Sequence, residues 1–190
     1  ELWLLYAIAA LYCRLCFHWR SNRTCPFDQE PRALIIANHR SPIDPVLIWI
    51  GIRNFRPLEF LTAQEYFGIR GLQFIFTHMR AIPVARDGKD MAATRTALRR
   101  LKDGCLLGVF PEGGITVTPG LRPGNPGVAW LALQSQAPVY PVYIHNAPQS
   151  SSMVEPFLKF LRVRVSYGDQ VDLERYRGKR ATPEVLQEVT

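Results

Sequence analysis

Residues 33–37 read ALIIA, with no polar side chain for either face of an extended chain. A strand that is wet on one side alternates polar with apolar residues; one with no polar residue is covered on both sides. Further short runs that read as strands stand at 60–62 (FLT), 81–85 (AIPVA), 106–110 (LLGVF), 139–144 (VYPVYI) and 163–167 (VRVSY). Between them, residues 42–52, 71–79, 90–102 and 127–136 read as helices. The stretch from Asp90 opens on an acid and closes on Arg99, Arg100 and Lys102 ahead of Gly104. That order suits the helix dipole and a glycine stop. Covered strands alternating with helices predict an α/β fold, a single domain with a mostly parallel sheet flanked by helices. The length of 190 residues suits one such domain. Ligands gather at the carboxyl ends of strands in these sheets, so the residues just after ALIIA and LLGVF are the first candidates for a site.

Charge narrows the partner. Lys and Arg number 23 against 16 Asp and Glu, a formal net charge of +7. This favours an anion: nucleic acid, an anionic lipid surface, or a phosphorylated or CoA-linked substrate. With 47% hydrophobic residues the chain has a core to bury and is not a disordered tail. Cys13, Cys16, His18 and Cys25 invite a zinc reading, but no second ligand pair follows at finger spacing. Cys13 and Cys16, three apart in an apolar run, read better as small hydrophobes on one helix face. Reduced thiols and a cytosol-facing compartment are expected. Asn22-Arg23-Thr24 is a formal glycosylation sequon of little weight by itself.

The chain opens on Glu1 rather than Met and closes in TPEVLQEV, which reads as a helix beginning; residues are expected beyond both ends. Residues 2–13 (LWLLYAIAALYC) are apolar or aromatic throughout, short of the ~20 that a membrane span needs. Two readings of this helix stand: it lies in a membrane interface with its aromatics at headgroup depth, or it packs on the core.

After ALIIA comes Asn38-His39-Arg40-Ser41-Pro42-Ile43-Asp44. Ser41 suits an N-cap and Pro42 the first helical position, so Asp44 falls in the first turn and can reach back to His39. A carboxylate on one ring nitrogen fixes the tautomer and leaves the other nitrogen free as a general base. On this stretch alone, Asp44 can equally be a capping residue bonded to the backbone. Phe110-Pro111-Glu112-Gly113-Gly114 follows the second apolar run, with backbone that a ligand can approach closely. Glu112 is there either to bond a substrate or as a solvated acid in a turn. Arg86 follows AIPVA and has the donor fork that suits a phosphate, or is a surface cation.

Taken in order, NHRSPID, IPVAR, FPEG and VYPV resemble the blocks of the lysophospholipid acyltransferases, the PlsC-like glycerolipid acyltransferase family. The resemblance spans about residues 33–167. It implies transfer of a fatty acyl chain from acyl-CoA or acyl-carrier protein to the free hydroxyl of a lysophospholipid. The typical acceptor is 1-acylglycerol 3-phosphate, giving phosphatidic acid. It implies direct attack without a covalent acyl-enzyme, with His39 as base and Asp44 as its partner. Asn38, Arg40, Ser41, Arg86, Glu112, Gly113 and Arg122 are the implied substrate-binding residues. No cofactor and no metal are implied, since the acyl donor is itself a substrate. Residues 1–24 become an amphipathic membrane-associating segment and residues 25–190 the acyltransferase domain, peripheral or monotopic on the cytoplasmic membrane face. The expected partners are the lipid surface, a lysophospholipid and the acyl carrier, and no nucleic acid.

One departure bears on the acceptor. The family's third block commonly continues with Thr-Arg-Ser after FPEG, where this chain has Gly114-Ile115-Thr116. Phosphate binding then falls to Arg86, Arg40 or Arg122, or to glycine amides. Three alternatives remain at this level. They are a different lysolipid acceptor, a thioesterase built on Ser41, His39 and Asp44, and a non-catalytic membrane-binding module using the basic stretch Lys159, Arg162, Arg164, Arg175, Arg177, Lys179 and Arg180. The chain lacks the GxSxG setting that a serine nucleophile would need.

Overall fold

The computed structural model describes residues 2–54, 56–85, 90–116, 118, 120 and 122–190. Among these residues, seven strands form one sheet: β1 (Arg20–Ser21), β2 (Ala33–Ala37), β3 (Leu58–Ala63), β4 (Ile82–Val84), β5 (Leu106–Val109), β6 (Val139–His145) and β7 (Arg164–Tyr167), in the spatial order β1-β7-β6-β2-β5-β3-β4. Every pairing is parallel except β6 with β7. The α/β fold with a mostly parallel sheet is therefore as expected, and the ALIIA strand lies at its centre.

Alternate residues of β2 feed two cores. Ala33, Ile35 and Ala37 face one side, with Leu58 and Phe60 of β3 and Val142 and Ile144 of β6. Leu34 faces the other side, with Leu107 and Val109 of β5. Among the described residues there are six helices: α1 (Leu2–Cys16), α2 (Asp44–Trp49), α3 (Leu72–His78), α4 (Met91–Lys102), α5 (Pro126–Ser135) and α6 (Pro183–Val189). Helices α1 and α2 contribute to the first core and α4 and α5 to the second, while α6 packs on α5. Helix α4 shows why it forms. Asp90 caps it by accepting from the Ala93 amide at 2.9 Å, and Ala93, Ala97 and Leu101, one turn apart, bury its inner stripe. Gly104, at φ 98°, ends the connection in a conformation that other residues resist.

Helix α1 packs on the core along one side only. Its inner side joins the first core through Ala10 and Cys13, and the Tyr6 hydroxyl donates to the Ile50 carbonyl at 2.6 Å. Its outer side leaves Trp3, Leu4, Ile8, Leu11 and Leu15 exposed. Burial pushes the Cys13 and Cys25 thiols up to about 12, as befits small hydrophobes of the core. No helix among the described residues is long and apolar enough to cross a membrane.

Two elements differ from expectation. The helix expected over 42–52 runs only over Asp44–Trp49, because the residues before it form a turn held by the Asp44 side chain. The edge strand β1 was not expected, being two residues long and made by pairing with β7.

After α2 the chain turns at Gly51, whose missing Cβ leaves room for the buried Tyr167 hydroxyl; a Cβ there would stand 1.8 Å from that oxygen. The hydroxyl has no hydrogen-bond partner. Gly51→Ala is expected to lower stability by about 1–3 kcal/mol through overpacking. Tyr167→Phe removes the clashing atom and an unpaired polar group, so the double variant recovers most of the loss. Urea unfolding of the four proteins measures this; strictly additive effects would show that the contact is not the cause.

Candidate active site

Strand β2 ends at Ala37, and the next seven residues are fastened from three sides. The Asn38 side chain acts like one more residue of strand pairing: its Nδ2 donates to the Ile144 carbonyl at 3.1 Å and its Oδ1 accepts from the Ile144 amide at 2.8 Å. Arg40 is nearly buried, and its guanidinium donates to the carbonyls of Thr116, Thr118 and Gly120. Glu112 Oε1 accepts from the His39 amide at 3.0 Å, and its Oε2 from the Arg122 amide at 3.4 Å. The Thr116 amide donates in turn to the His39 carbonyl at 2.8 Å. The turn after β2 and the loop after β5 are thus one assembly, at the carboxyl ends of adjacent parallel strands.

Within it His39 and Asp44 meet. His39 Nδ1 lies 3.0 Å from Asp44 Oδ2, which also accepts from the amides of Arg40 at 2.6 Å and Ser41 at 2.8 Å. Asp44 does both jobs that the sequence offered it, capping the turn and meeting the imidazole. Its side chain is fully buried, while that of His39 keeps 15% of its surface exposed. Burial pushes the Asp44 carboxyl up, against the opposing pull of the imidazole and the two amides. A carboxylate at this position accepts the Nδ1 hydrogen and leaves Nε2 as the basic nitrogen. Nε2 has no partner among the described residues.

The ring is also held by its face. It stacks on Phe110 at 3.9 Å between centroids, and Phe110 stacks on Phe60 at 5.2 Å. Gly108, two residues before Phe110, gives Phe60 its place: a Cβ there would come within 2.2 Å of the Phe60 ring. Sequence reasoning took Phe110 only as part of its block. Its position at the last step of an apolar strand, immediately before a Pro-Glu turn, was the available signal.

The other expected site residues are placed as follows. Ser41 Oγ is buried with no hydrogen-bond partner, so it is not aligned on the imidazole. Gly113, at φ 71°, closes the turn with its amide on the Phe110 carbonyl at 3.0 Å. For Glu112, burial works upward, yet the Thr116 side chain, the His39 and Arg122 amides and the Arg40 charge hold its carboxyl below the usual range. Its two oxygens are occupied by backbone rather than pointed at open space. Arg122 joins through its amide, with its side chain exposed. Arg86 lies outside the described residues. No group of three His, Cys, Asp or Glu stands where it could hold a metal ion among the described residues.

The chain superposes on the crystal structure of the 1-acyl-sn-glycerophosphate (LPA) acyltransferase PlsC from Thermotoga maritima with a TM-score of 0.76, over 98% of this chain and 73% of that one, at 18% identity. This likeness is one of fold. The 1-acyl-sn-glycerol-3-phosphate acyltransferase of Bacillus subtilis (strain 168) is 25% identical over 117 residues, 62% of this chain and 57% of that protein's length. The chain therefore spans little more than half of that relative. The model of the Acyltransferase family matches residues 20–145, from β1 to the end of β6, with the whole His39 assembly inside it. This protein belongs to the Acyltransferase family.

Proposed function

We propose that the protein is an O-acyltransferase that moves a fatty acyl chain from acyl-CoA or acyl-carrier protein to the free hydroxyl of a lysophospholipid, with 1-acylglycerol 3-phosphate as acceptor and phosphatidic acid as product. The observation that carries this reading is a largely buried imidazole with one nitrogen on a buried carboxylate and the other unpartnered among the described residues. Family membership and the names of the two relatives support the reaction class and the acceptor.

The chemistry follows from this arrangement. An alcohol is a weak nucleophile at neutral pH. His39 Nε2 takes the hydroxyl proton as the oxygen attacks the thioester carbonyl carbon. The tetrahedral adduct collapses, the carbon–sulfur bond breaks, and the imidazolium returns the proton to the leaving sulfur. Asp44 is the positioning residue: it holds the Nδ1 hydrogen and stabilises the positive ring between the two transfers. A base so placed contributes about 10²–10⁴ in rate. No acyl-enzyme is needed, and the buried, unaligned Ser41 hydroxyl supports direct transfer over a serine nucleophile. The acceptor's phosphate falls to Arg86 or Arg122 rather than Arg40, whose guanidinium is already taken by three carbonyls; Arg86 is the first to test. The exposed apolar side of α1 fits peripheral attachment to the membrane that holds the acceptor.

Thioester consumption with lysophosphatidate tests the assignments. His39→Ala is expected to lose about 10²–10⁴ in kcat with the fold intact. Asp44→Asn is expected to lose on the order of 10²-fold or more in kcat at nearly constant KM, since it removes an interaction made in the transition state. Ser41→Ala keeps turnover; a loss as deep as that of His39→Ala would move the nucleophile to Ser41.

Arg86→Ala is expected to raise the acceptor KM about tenfold or more, the worth of a charged hydrogen bond, and to leave the donor KM alone. An unchanged acceptor KM would remove Arg86 from the site.

A further inference from the structure

Three strands from β2, at the β1 edge of the sheet, a second group of basic side chains converges. A groove of about 310 Å³ is lined by His18, Arg20, Arg162, Val163 and Arg164. We propose that this groove binds the phosphate of anionic headgroups at a bilayer surface and seats the active-site end of the sheet on an anionic membrane. The inference rests on the membrane attachment proposed above, and adds the lipid class and the residues that select it.

The fold builds the groove deliberately close to itself. His18, at φ 40°, swings the chain from α1 into β1. The Val163 amide donates to the Phe17 carbonyl at 2.9 Å and the Arg20 amide to the Val163 carbonyl at 3.1 Å. Arg20 then pairs in register with Arg164. Like charges placed opposite each other on neighbouring strands repel. Nothing relieves them: among the described residues none of Arg20, Arg162 and Arg164 has a carboxylate partner. Three guanidinium forks without a counter-ion, round one concavity, are a ready phosphate site.

The position decides which phosphate. Strand β7 runs against β6, and Arg164 at its start is in register with His145 at the end of β6. The groove is thus on the same rim of the sheet as His39. Three strand spacings separate β1 from β2, about 14 Å at roughly 4.8 Å each. The reacting hydroxyl and the phosphate of a glycerol phosphate sit on adjacent carbons, so one acceptor cannot reach both places. The groove therefore takes a neighbouring lipid.

Apolar surface adjoins it. The Leu161 amide donates to the Cys16 carbonyl at 3.1 Å, and the Tyr12 hydroxyl to the Phe157 carbonyl, so the 157–161 segment lies along α1. Leu158 and Phe160 there are 72% and 74% exposed, beside the exposed Leu11 and Leu15 of α1. A greasy platform bordered by unpaired arginines matches an anionic bilayer in both of its components.

The test is flotation of the full chain with vesicles of phosphatidylcholine alone and of phosphatidylcholine with one third phosphatidylglycerol. The wild type is expected to prefer the anionic vesicles. Arg20→Gln/Arg162→Gln/Arg164→Gln is expected to lose on the order of 10²-fold in affinity for them, at about fivefold per charge, and to match the wild type on phosphatidylcholine. Turnover of a water-soluble short-chain lysolipid stays unchanged. The charge-keeping Arg20→Lys/Arg162→Lys/Arg164→Lys keeps most of the binding. Equal loss in both triple variants would signal damage to the sheet edge and overturn the proposal. So would equal binding of wild type and glutamine variant to anionic vesicles, which would leave membrane attachment standing. Abolition of the preference by millimolar inorganic phosphate would mark a small-anion site instead. Failure of the wild type to bind either vesicle would overturn the membrane reading itself.

Discussion

The buried carboxylate of Asp44 organises the centre of this molecule. One of its oxygens accepts from two backbone amides and faces an imidazole nitrogen, while no solvent reaches the side chain. Burying such a group is costly without donors; Oδ2 receives them from the turn it has to shape, while Oδ1 is buried without a partner. The interaction sets the start of α2, the path of residues 39–43 and the tautomer of His39 together. Removing it would leave two amides and a ring nitrogen without their acceptor, so shape and chemistry at this place are inseparable.

The rest of the assembly depends on partners far apart in the chain. Asn38 is satisfied by Ile144, 106 residues later, and the His39 amide by Glu112, 73 residues later. This explains what could be read in advance. The apolar runs of β2, β5 and β6 carry their own signature, because covered strands need no polar residue. The His39–Asp44 pair spans five positions, and its spacing around Pro42 was legible. The tasks of Asn38, Arg40 and Glu112 were not, for each is set by a sheet neighbour that no local pattern names. All three were read as contacts to substrate. In the fold their polar atoms meet backbone, and they work by fastening the loops that carry the ring.

Helix α1 shows a different limit. Its composition is apolar all round, which suits a core helix and an interfacial one equally. In the structure Ala10 and Cys13 are buried in the first core, with Leu5, Tyr6 and Tyr12 half-buried against it, while Trp3, Leu4, Ile8, Leu11 and Leu15 stay exposed. Both sides carry large apolar side chains, so neither hydropathy nor side-chain volume along the helix divides them.

The column of Phe60, Phe110 and His39 carries a last consequence. An imidazole pinned by a carboxylate at its edge and an aromatic ring on its face has no freedom to pivot. If it carries the proton in the proposed transfer, it does so at one fixed point in space. In that reaction the entering oxygen and the departing sulfur would each have to come within reach of the same nitrogen, so it is the substrates that would travel. Selectivity for the length and shape of the acyl chain can then arise wherever the walls around that point restrict how the thioester slides past it.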